Sequence, residues 1–217
     1  MWHRRAVCER DVPVISAFQQ DGIEVLRIER PEKANSLTGA MLARLTEEFD
    51  RIAQGQSNAV ILTAAGRVFS AGADLDEAQA GLTTSPEWER LSARIATMPC
   101  LTIAALNGTL AGGAFGMVLA CDLRVAVPGA EFFYPVMKRG FLPQPGDARR
   151  MTVLIGPARA KMILMAGARI DAAQAQSWGL VDRIATDPVA AARELAADCV
   201  GASTDHVMAI KGLIYQP

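Results

Sequence analysis

The sequence predicts an α/β fold in which short strands alternate with helices. Two apolar runs with the pattern of buried strands, residues 59–63 and 101–106, each lead into a loop of small residues. These loops are residues 68–75 (VFSAGADL) and 107–113 (NGTLAGG), and helical patterns follow both of them. The repeated order of strand, loop and helix is the main observation behind the predicted fold class.

The composition is that of a globular protein with a substantial core. The chain has 217 residues, of which 51% are hydrophobic and 21% are charged, which suits one domain of ordinary size. A formal net charge of −1 gives no sign of the basic face that a nucleic-acid-binding protein needs. No stretch reaches the roughly 18 uninterrupted apolar residues of a membrane span.

The cysteines indicate neither a disulfide framework nor a metal site. They lie far apart, without a C-x-x-C pair or a cysteine and histidine cluster of metal-ligand spacing, at Cys8, Cys100, Cys121 and Cys199. We therefore expect free thiols, no bound metal and a cytoplasmic protein.

The first half of the chain gives clear signals for individual elements. Strands are predicted at residues 12–18 and 23–28, joined by a tight hairpin turn at Asp21-Gly22. Thr38 is a good N-cap for a helix that carries apolar residues on one face up to Ile52.

The second half becomes increasingly helical. Residues 74–97 have helical character with a break at 81–86, residues 113–120 suit a buried helix, and residues 121–127 suit a strand. Further helices are predicted at 156–167, 172–178, 189–200 and 206–215, with one short strand at 180–184.

The two glycine-rich loops suggest chemistry on a thioester carbonyl. Small residues allow a ligand to approach the backbone closely, and two backbone N–H groups could stabilise negative charge that develops on one oxygen. Neither loop matches G-x-G-x-x-G or a P-loop, which excludes the usual nucleotide-binding loops. Ser70 lies in the first loop but not in a G-x-S-x-G motif, and His3 and His206 lie far from any recognised nucleophile motif, so a triad hydrolase is not indicated.

An ordered series of motifs resembles the crotonase superfamily, the enoyl-CoA hydratase/isomerase family. The resemblance covers roughly residues 12–212. The motifs are residues 30–37 (RPEKANSL), 69–75 (FSAGADL), 107–113, 121–122 (CD), 134–135 (YP), 138–140 (KRG), 156–160 (GPARA) and 173–181, which ends in WGLV.

The resemblance implies the fold and the organisation of the chain. It implies a spiral of ββα units followed by a helical C-terminal region used in trimer formation, in a homotrimer or a dimer of trimers. The corresponding parts are an N-terminal tail at 1–11, the core with the start of the helical region at 12–185, and C-terminal helices at 186–217. Those last helices are shorter than is usual for the family.

The resemblance also implies a coenzyme A thioester as substrate, with no separate cofactor. The oxyanion-hole N–H groups fall on Ala71 and Gly113. The positions expected to border the acyl group or coenzyme A are Lys33, Ala34, Asn35, Ser70, Gly72, Ala73, Asp74, Leu75, Gly112, Gly116 and Val136.

Two of these positions depart from the family pattern. Enoyl-CoA hydratases of this family use two glutamates, and the matching positions here are Gly116 and Val136, neither of which can titrate. Candidates to replace them are Tyr134, Asp147, Glu131 and Glu77. The alternatives are a carboxylate in the first turn of a helix for Asp147 and solvated side chains for the two glutamates.

Three functions are compatible with these residues. One is an acyl-CoA enzyme of the hydratase/isomerase type that stabilises a thioester enolate. The others are an acyl-CoA-binding protein without catalysis, and a thioesterase or decarboxylase of the same fold. Val136 separates the first two, because an enzyme must supply a proton-transfer group from elsewhere and a binding protein need not.

Overall fold

The computed structural model describes residues 14–214. The predicted tail, His3, Cys8, the start of the first predicted strand and the end of the last predicted helix lie outside the described residues. The strands are β1 Ile15–Gln20, β2 Ile23–Ile28, β3 Ala59–Ala64, β4 Val68–Ser70, β5 Leu101–Leu106, β6 Thr109–Ala111, β7 Leu123–Ala126, β8 Glu131–Phe133, β9 Ile170–Asp171 and β10 Arg183–Ile184. The α-helices are α1 Gly39–Gln54, α2 Leu75–Gln79, α3 Glu87–Ala96, α4 Phe115–Ala120, α5 Val136–Arg139, α6 Pro145–Leu164, α7 Ala172–Trp178, α8 Pro188–Gly201 and α9 Thr204–Ile214.

The larger sheet has six strands in the order β1-β2-β3-β5-β7-β10. The β1–β2 pair is antiparallel, and all the other neighbours are parallel. The hairpin turn lies where it is predicted, with Asp21 and Gly22 at φ of 53° and 77°. Positive φ at both positions matches the twist of the paired strands.

The smaller sheet has the order β4-β6-β8-β9, and its first three strands follow β3, β5 and β7 in the chain. Each long strand of the first sheet thus continues into a short strand of the second, and a helix comes next. This confirms the predicted ββα repeat. It also places the loops after β4 and β6 side by side, because these two short strands are paired.

The core lies on both faces of the larger sheet. On one face α1, α3, α4 and α6 pack over a large apolar cluster that includes Leu26, Phe49, Phe69 and Phe115. On the other face α8 covers the sheet with three buried alanines, Ala191, Ala192 and Ala196. Small residues suit this position because they let the helix backbone approach the sheet.

Helix α6 begins earlier than the predicted helix at 156–167. It starts at Pro145 and is kinked at Gly156, which has φ of 79° and is followed by Pro157. Proline cannot donate the N–H that would bridge the kink. Because α6 starts at Pro145, Asp147 lies in its first turn, as the sequence indicates.

The C-terminal helices are present as predicted, and α9 is fixed to the core by one lysine. The Lys211 ammonium donates to the Cys100 carbonyl oxygen at 2.7 Å and to Asp122 Oδ2 at 2.6 Å. None of the helices between residues 14 and 214 is both long and apolar enough to cross a membrane.

The second glycine-rich loop is anchored to the first by residues 107 and 108. The Asn107 amide donates to the Gly66 carbonyl oxygen at 2.7 Å. Gly108 packs so closely that a Cβ there would overlap the Arg67 carbonyl oxygen and crowd the Val68 Cα at 3.2 Å. These contacts fix the position of the second loop relative to the first.

Gly108→Ala should destabilise the protein by about 3 kcal/mol or more, because neither backbone can move without disturbing a sheet. Gly129→Ala is the matched control, since a Cβ at Gly129 meets no atom within 4 Å, and it should change stability by about 0.5 kcal/mol or less. Urea denaturation of both variants measures the difference. Equal stability of the two would show that the loops are not packed as described.

Candidate active site

A cavity of about 670 Å³ opens between the two glycine-rich loops and the segment that joins β8 to α6. Many of the residues predicted for the site line it. They are Lys33, Ala34, Ala71, Ala73, Asp74, Leu75, Gly112, Gly113, Tyr134 and Val136.

The two loops touch at the inner end of this cavity. Gly72 has φ of 92°, and a Cβ there would lie 3.0 Å from the Ala111 carbonyl oxygen and 3.4 Å from the Gly113 nitrogen. A side chain at residue 72 would therefore be strained and would cover the Gly113 N–H. Glycine at this position leaves the second loop's backbone open.

The hydrogen bonds of the loops correct one sequence-based assignment. The Ala71 N–H donates to the Ala34 carbonyl oxygen at 3.0 Å, so it is already used by the fold. The Gly72 N–H donates to Ser70 Oγ at 3.2 Å. Within residues 14–214, neither the Ala73 N–H nor the Gly113 N–H donates to another group of the chain. Ala73 and Gly113 thus each offer an unused N–H on the two loops, whereas the Ala71 N–H is occupied.

Asn35 and Ser70 support the site from behind and do not line the cavity. The Asn35 side chain is fully buried, accepts from the Arg30 N–H at 2.8 Å and donates to the carbonyl oxygens of Ala65 and Val68, both at 2.7 Å. The Ser70 hydroxyl donates to the Asn35 carbonyl oxygen at 2.8 Å. These bonds hold the loop of residues 30–36 against the first glycine-rich loop.

Asp74 lies on the cavity wall with its charge already compensated. Its Oδ2 pairs with the Arg30 guanidinium at 2.7 Å, and its Oδ1 accepts from the backbone N–H groups of Asp76 and Glu77 at the start of α2. The hydrogen bond from Arg30 is the main cause that lowers the pKa of Asp74. The side chain is therefore suited to holding the loop and not to proton transfer.

The two positions at which the resemblance implies glutamates have different surroundings. Val136 lines the cavity and makes its wall apolar, whereas Gly116 lies in α4, behind the wall. Trp88 of α3 covers the base of the second loop: a Cβ at Gly113 would lie 3.3 Å from its ring, and its indole N–H donates to the Leu82 carbonyl oxygen.

Tyr134 and Asp147 form a buried pair. The Tyr134 hydroxyl donates to Asp147 Oδ2 at 3.0 Å, and the tyrosine ring stacks on Phe115 with centroids 5.4 Å apart. Tyr134 lines the cavity, whereas Asp147 is fully buried behind it. Burial raises the pKa of Asp147 to about 7, and burial together with the Asp147 charge raises the pKa of Tyr134.

The two candidate glutamates have structural roles outside the cavity. Glu77 Oε2 accepts from the Gly39 N–H at 2.7 Å, at the start of α1. Glu131 pairs with the Arg169 guanidinium at 2.7 Å, and that guanidinium lies over the Phe133 ring at 3.9 Å. Both carboxylates are thus removed from the set of candidate proton-transfer groups.

The remaining reactive side chains also lie away from the site. His206 is exposed on α9. Cys100, Cys121 and Cys199 are free, and burial raises the pKa of the first two to about 11 and about 12, respectively. In the part of the chain that the structure describes, no group of three histidine, cysteine or acidic residues is arranged to hold a metal ion.

Sequence reasoning missed part of the cavity wall. These residues are Trp88, Phe133, Arg139, Phe141, Leu142 and Arg169. Trp88 could have been found, because it is a large aromatic residue on the helix that follows the first loop. Arg169 could not, because it is 38 residues from its partner Glu131 and no motif marks it.

Residues 18–216 match the family described as enoyl-CoA hydratase/isomerase. The probable enoyl-CoA hydratase EchA14 of Mycobacterium tuberculosis is 36% identical over 196 residues, which cover 87% of this chain and 76% of that protein. The 4-chlorobenzoyl coenzyme A dehalogenase-1 of Arthrobacter is 33% identical over 180 residues, 78% of this chain and 65% of that one.

Solved structures of the same family are also similar to this chain. The enoyl-CoA hydratase from Bacillus anthracis superimposes with a TM-score of 0.86 at 30% identity, over 93% of this chain and 82% of that chain. The ββα repeat, the two glycine-rich loops and these similarities lead to one conclusion: the chain belongs to the enoyl-CoA hydratase/isomerase family, within the crotonase superfamily.

Proposed function

We propose that the protein is an acyl-CoA enzyme that stabilises a thioester enolate with the backbone N–H groups of Gly113 and Ala73. The observation that carries this proposal is the pair of free donors at the contact between the two loops. A thioester oxygen placed between them gains negative charge as the enolate forms. Fixed donors stabilise that charge without having to reorganise.

The surroundings of the two donors support this chemistry. Trp88 and Val136 are almost fully buried and give the inner cavity an apolar wall. Hydrogen bonds to a developing charge are stronger where water is excluded. The acyl chain would lie against this wall, and the thioester oxygen would point at the loops.

Coenzyme A would occupy the mouth of the cavity as part of the substrate. Lys33 and Arg139 line the cavity and offer positive charge for phosphate groups, and Leu75 is largely exposed beside them. Ala34 and Ala73 leave room for the pantetheine arm between the loops. A cytoplasmic location and a homotrimer or dimer of trimers stay predictions that rest on the family resemblance.

The site's own groups must decide the reaction, because relatives of similar identity carry the names of a hydratase and a dehalogenase. Adding water with two glutamates is not supported, since residues 116 and 136 cannot titrate. A proton shift within the acyl chain needs one proton-transfer group and the two N–H donors. We therefore favour isomerisation or a related enolate reaction.

Binding without catalysis is the second candidate. It is favoured by the apolar side chain at residue 136, because a cavity with Val136 at its wall can hold an acyl chain without changing it. Mass spectrometry of enoyl-, dienoyl- and carboxyacyl-CoA thioesters incubated with the protein separates the two candidates. A changed product supports the enzyme, and thioesters that bind but return unchanged support the binding protein.

Gly72→Ala should reduce kcat by roughly 10²–10³-fold, because its methyl group would cover the Gly113 N–H. Gly81→Ala is the matched control. Gly81 also has positive φ, at 104°, but a Cβ there meets no atom within 4 Å. Both variants place alanine in strained backbone, but Gly72→Ala is also crowded by Ala111 and should lose more stability. Turnover is therefore compared per folded protein, and only Gly72→Ala should lose it. Equal turnover of the two would contradict the role of Gly113.

Val136→Glu should add water to a 2-enoyl-CoA, because it places a carboxylate on the cavity wall where it can hold and activate a water molecule. Val136→Gln has the same shape without the titratable group and should show no such gain. Formation of the 3-hydroxyacyl product is followed by mass spectrometry. Equal hydration by both variants would show that the carboxylate is not the group that matters at this position.

A further inference from the structure

The carboxyl group of Asp147 lies beside the helix position where the family's first glutamate would stand. An ideal Cβ built on Gly116 would lie 2.6 Å from Asp147 Oδ1 and 3.4 Å from its Cγ and Oδ2. Carbon atoms do not approach an oxygen so closely, so any side chain at residue 116 would displace this carboxyl group. Glycine on α4 and aspartate on α6 are therefore sterically linked.

One oxygen of this carboxyl group has no hydrogen-bond partner among the described residues. Asp147 Oδ1 is fully buried and unpaired, while Oδ2 accepts from the Tyr134 hydroxyl. An unsatisfied buried carboxyl oxygen is costly to maintain. Its retention next to a cavity-lining tyrosine is the second observation that indicates a functional role.

We propose that Tyr134 exchanges the proton with the substrate and that Asp147, made possible by Gly116, is the positioning carboxyl group that takes up and returns the tyrosine's proton. The proposal rests on the proposed function, because the enolate needs the two backbone donors. Tyr134 is the catalytic residue of the pair, since it alone lines the cavity. In this proposal a carboxyl group on α6 serves where the resemblance implies a glutamate on α4, with the Tyr134 phenol between it and the substrate.

The proton balance is complete without a further reactant. The Tyr134 oxygen takes a proton from the carbon next to the thioester carbonyl while its own proton passes to the ionised Asp147 carboxyl group. The C–H electron pair becomes the carbon–carbon double bond of the enolate, and the carbonyl π electrons move to the oxygen. The proton now on the Tyr134 oxygen exchanges with water in the cavity, so its return to the same carbon incorporates solvent hydrogen. Its return to the far end of a dienolate moves the double bond.

Other charged groups face the pair from the neighbouring helices. The hydrogen bond from Tyr134 lowers the pKa of Asp147, Glu89 of α3 raises it, and Arg150 of α6 lowers it. Glu89 Oε2 also accepts from the Gly146 N–H at 3.0 Å, and Arg150 donates to Ser92 Oγ at 3.1 Å. Burial exceeds these effects and brings the pKa to about 7, so the ionised, proton-accepting form grows as pH rises through 7.

The direct test is deuterium incorporation from D₂O into trans-3-hexenoyl-CoA, measured by mass spectrometry alongside binding of the same thioester by calorimetry. The wild-type protein should incorporate deuterium at the carbon next to the carbonyl. Tyr134→Phe should bind the thioester with similar affinity and should exchange about 10²–10⁴-fold more slowly. Exchange by Tyr134→Phe at the wild-type rate would overturn the proposal.

Asp147→Asn tests the positioning role by its pH profile. The wild-type exchange rate should rise with an apparent pKa of about 7, and in Asp147→Asn this rise should disappear along with most of the rate. A merely structural carboxyl group would lower the rate equally at all pH values. An unchanged pH profile in a folded Asp147→Asn protein would therefore overturn the assignment.

Gly116→Ala tests the link between the two helices. Its methyl group should push the Asp147 carboxyl group away from Tyr134 and slow the exchange, whereas Gly212→Ala, on α9 with no atom within 4 Å of its Cβ, should not. Equal exchange by both variants would refute the link.

The outcomes separate this inference from the proposed function. A wild-type protein that binds no acyl-CoA overturns both. Exchange that is lost in Gly72→Ala but retained in Tyr134→Phe overturns this inference and leaves the proposed function standing.

Discussion

The contact between the two glycine-rich loops is the constraint on which the rest of the site depends. Gly72 lies against Ala111 and Gly113 with no room for a side chain between them. The contact requires β4 and β6 to be neighbours in the smaller sheet, which they are. It also requires both loops to be held in a fixed relative position, and the side chains of buried Asn35 and half-buried Asn107 provide this. Asn35 ties the first loop to residues 65 and 68, and Asn107 ties the second to residue 66.

Several polar side chains on and behind the cavity wall already have their charges and hydrogen bonds used by the fold. Hydrogen bonds that hold the loops in place already occupy the carboxylate of Asp74, the amide of Asn35 and the hydroxyl of Ser70. The inner cavity is left with apolar walls and backbone donors. Such an arrangement stabilises charge on a ligand oxygen better than it transfers protons, so the proposed enolate chemistry needs a proton-transfer group from a different element. The pair proposed for it is Tyr134, which lines the cavity, and Asp147, to which the tyrosine donates.

Much of the fold could be predicted from the sequence because its signals are local. The Asp21-Gly22 turn, the Thr38 cap and the apolar strands before each loop are all present. The site was harder to predict, because a sequence motif does not show which backbone N–H groups already donate a hydrogen bond. Residues 71 and 73 are both alanines of the same loop, and only the hydrogen bond from the Ala71 N–H to the Ala34 carbonyl oxygen shows which N–H is already used. In the same way, the sequence alone shows Gly116 only as a position without the glutamate that the resemblance implies. The structure shows that the Asp147 carboxyl group fills the space beside it.

Polarisation of the substrate by the two loops can be measured as the carbonyl stretching frequency of an isotopically labelled acyl-CoA thioester bound to the protein, by difference infrared spectroscopy. Two backbone donors aimed at the thioester oxygen weaken the C=O bond. We expect a band at clearly lower frequency than in water, which returns toward the solution value in Gly72→Ala and stays low in Gly81→Ala. A bound thioester with an unshifted carbonyl band would contradict the claim that this site polarises its substrate.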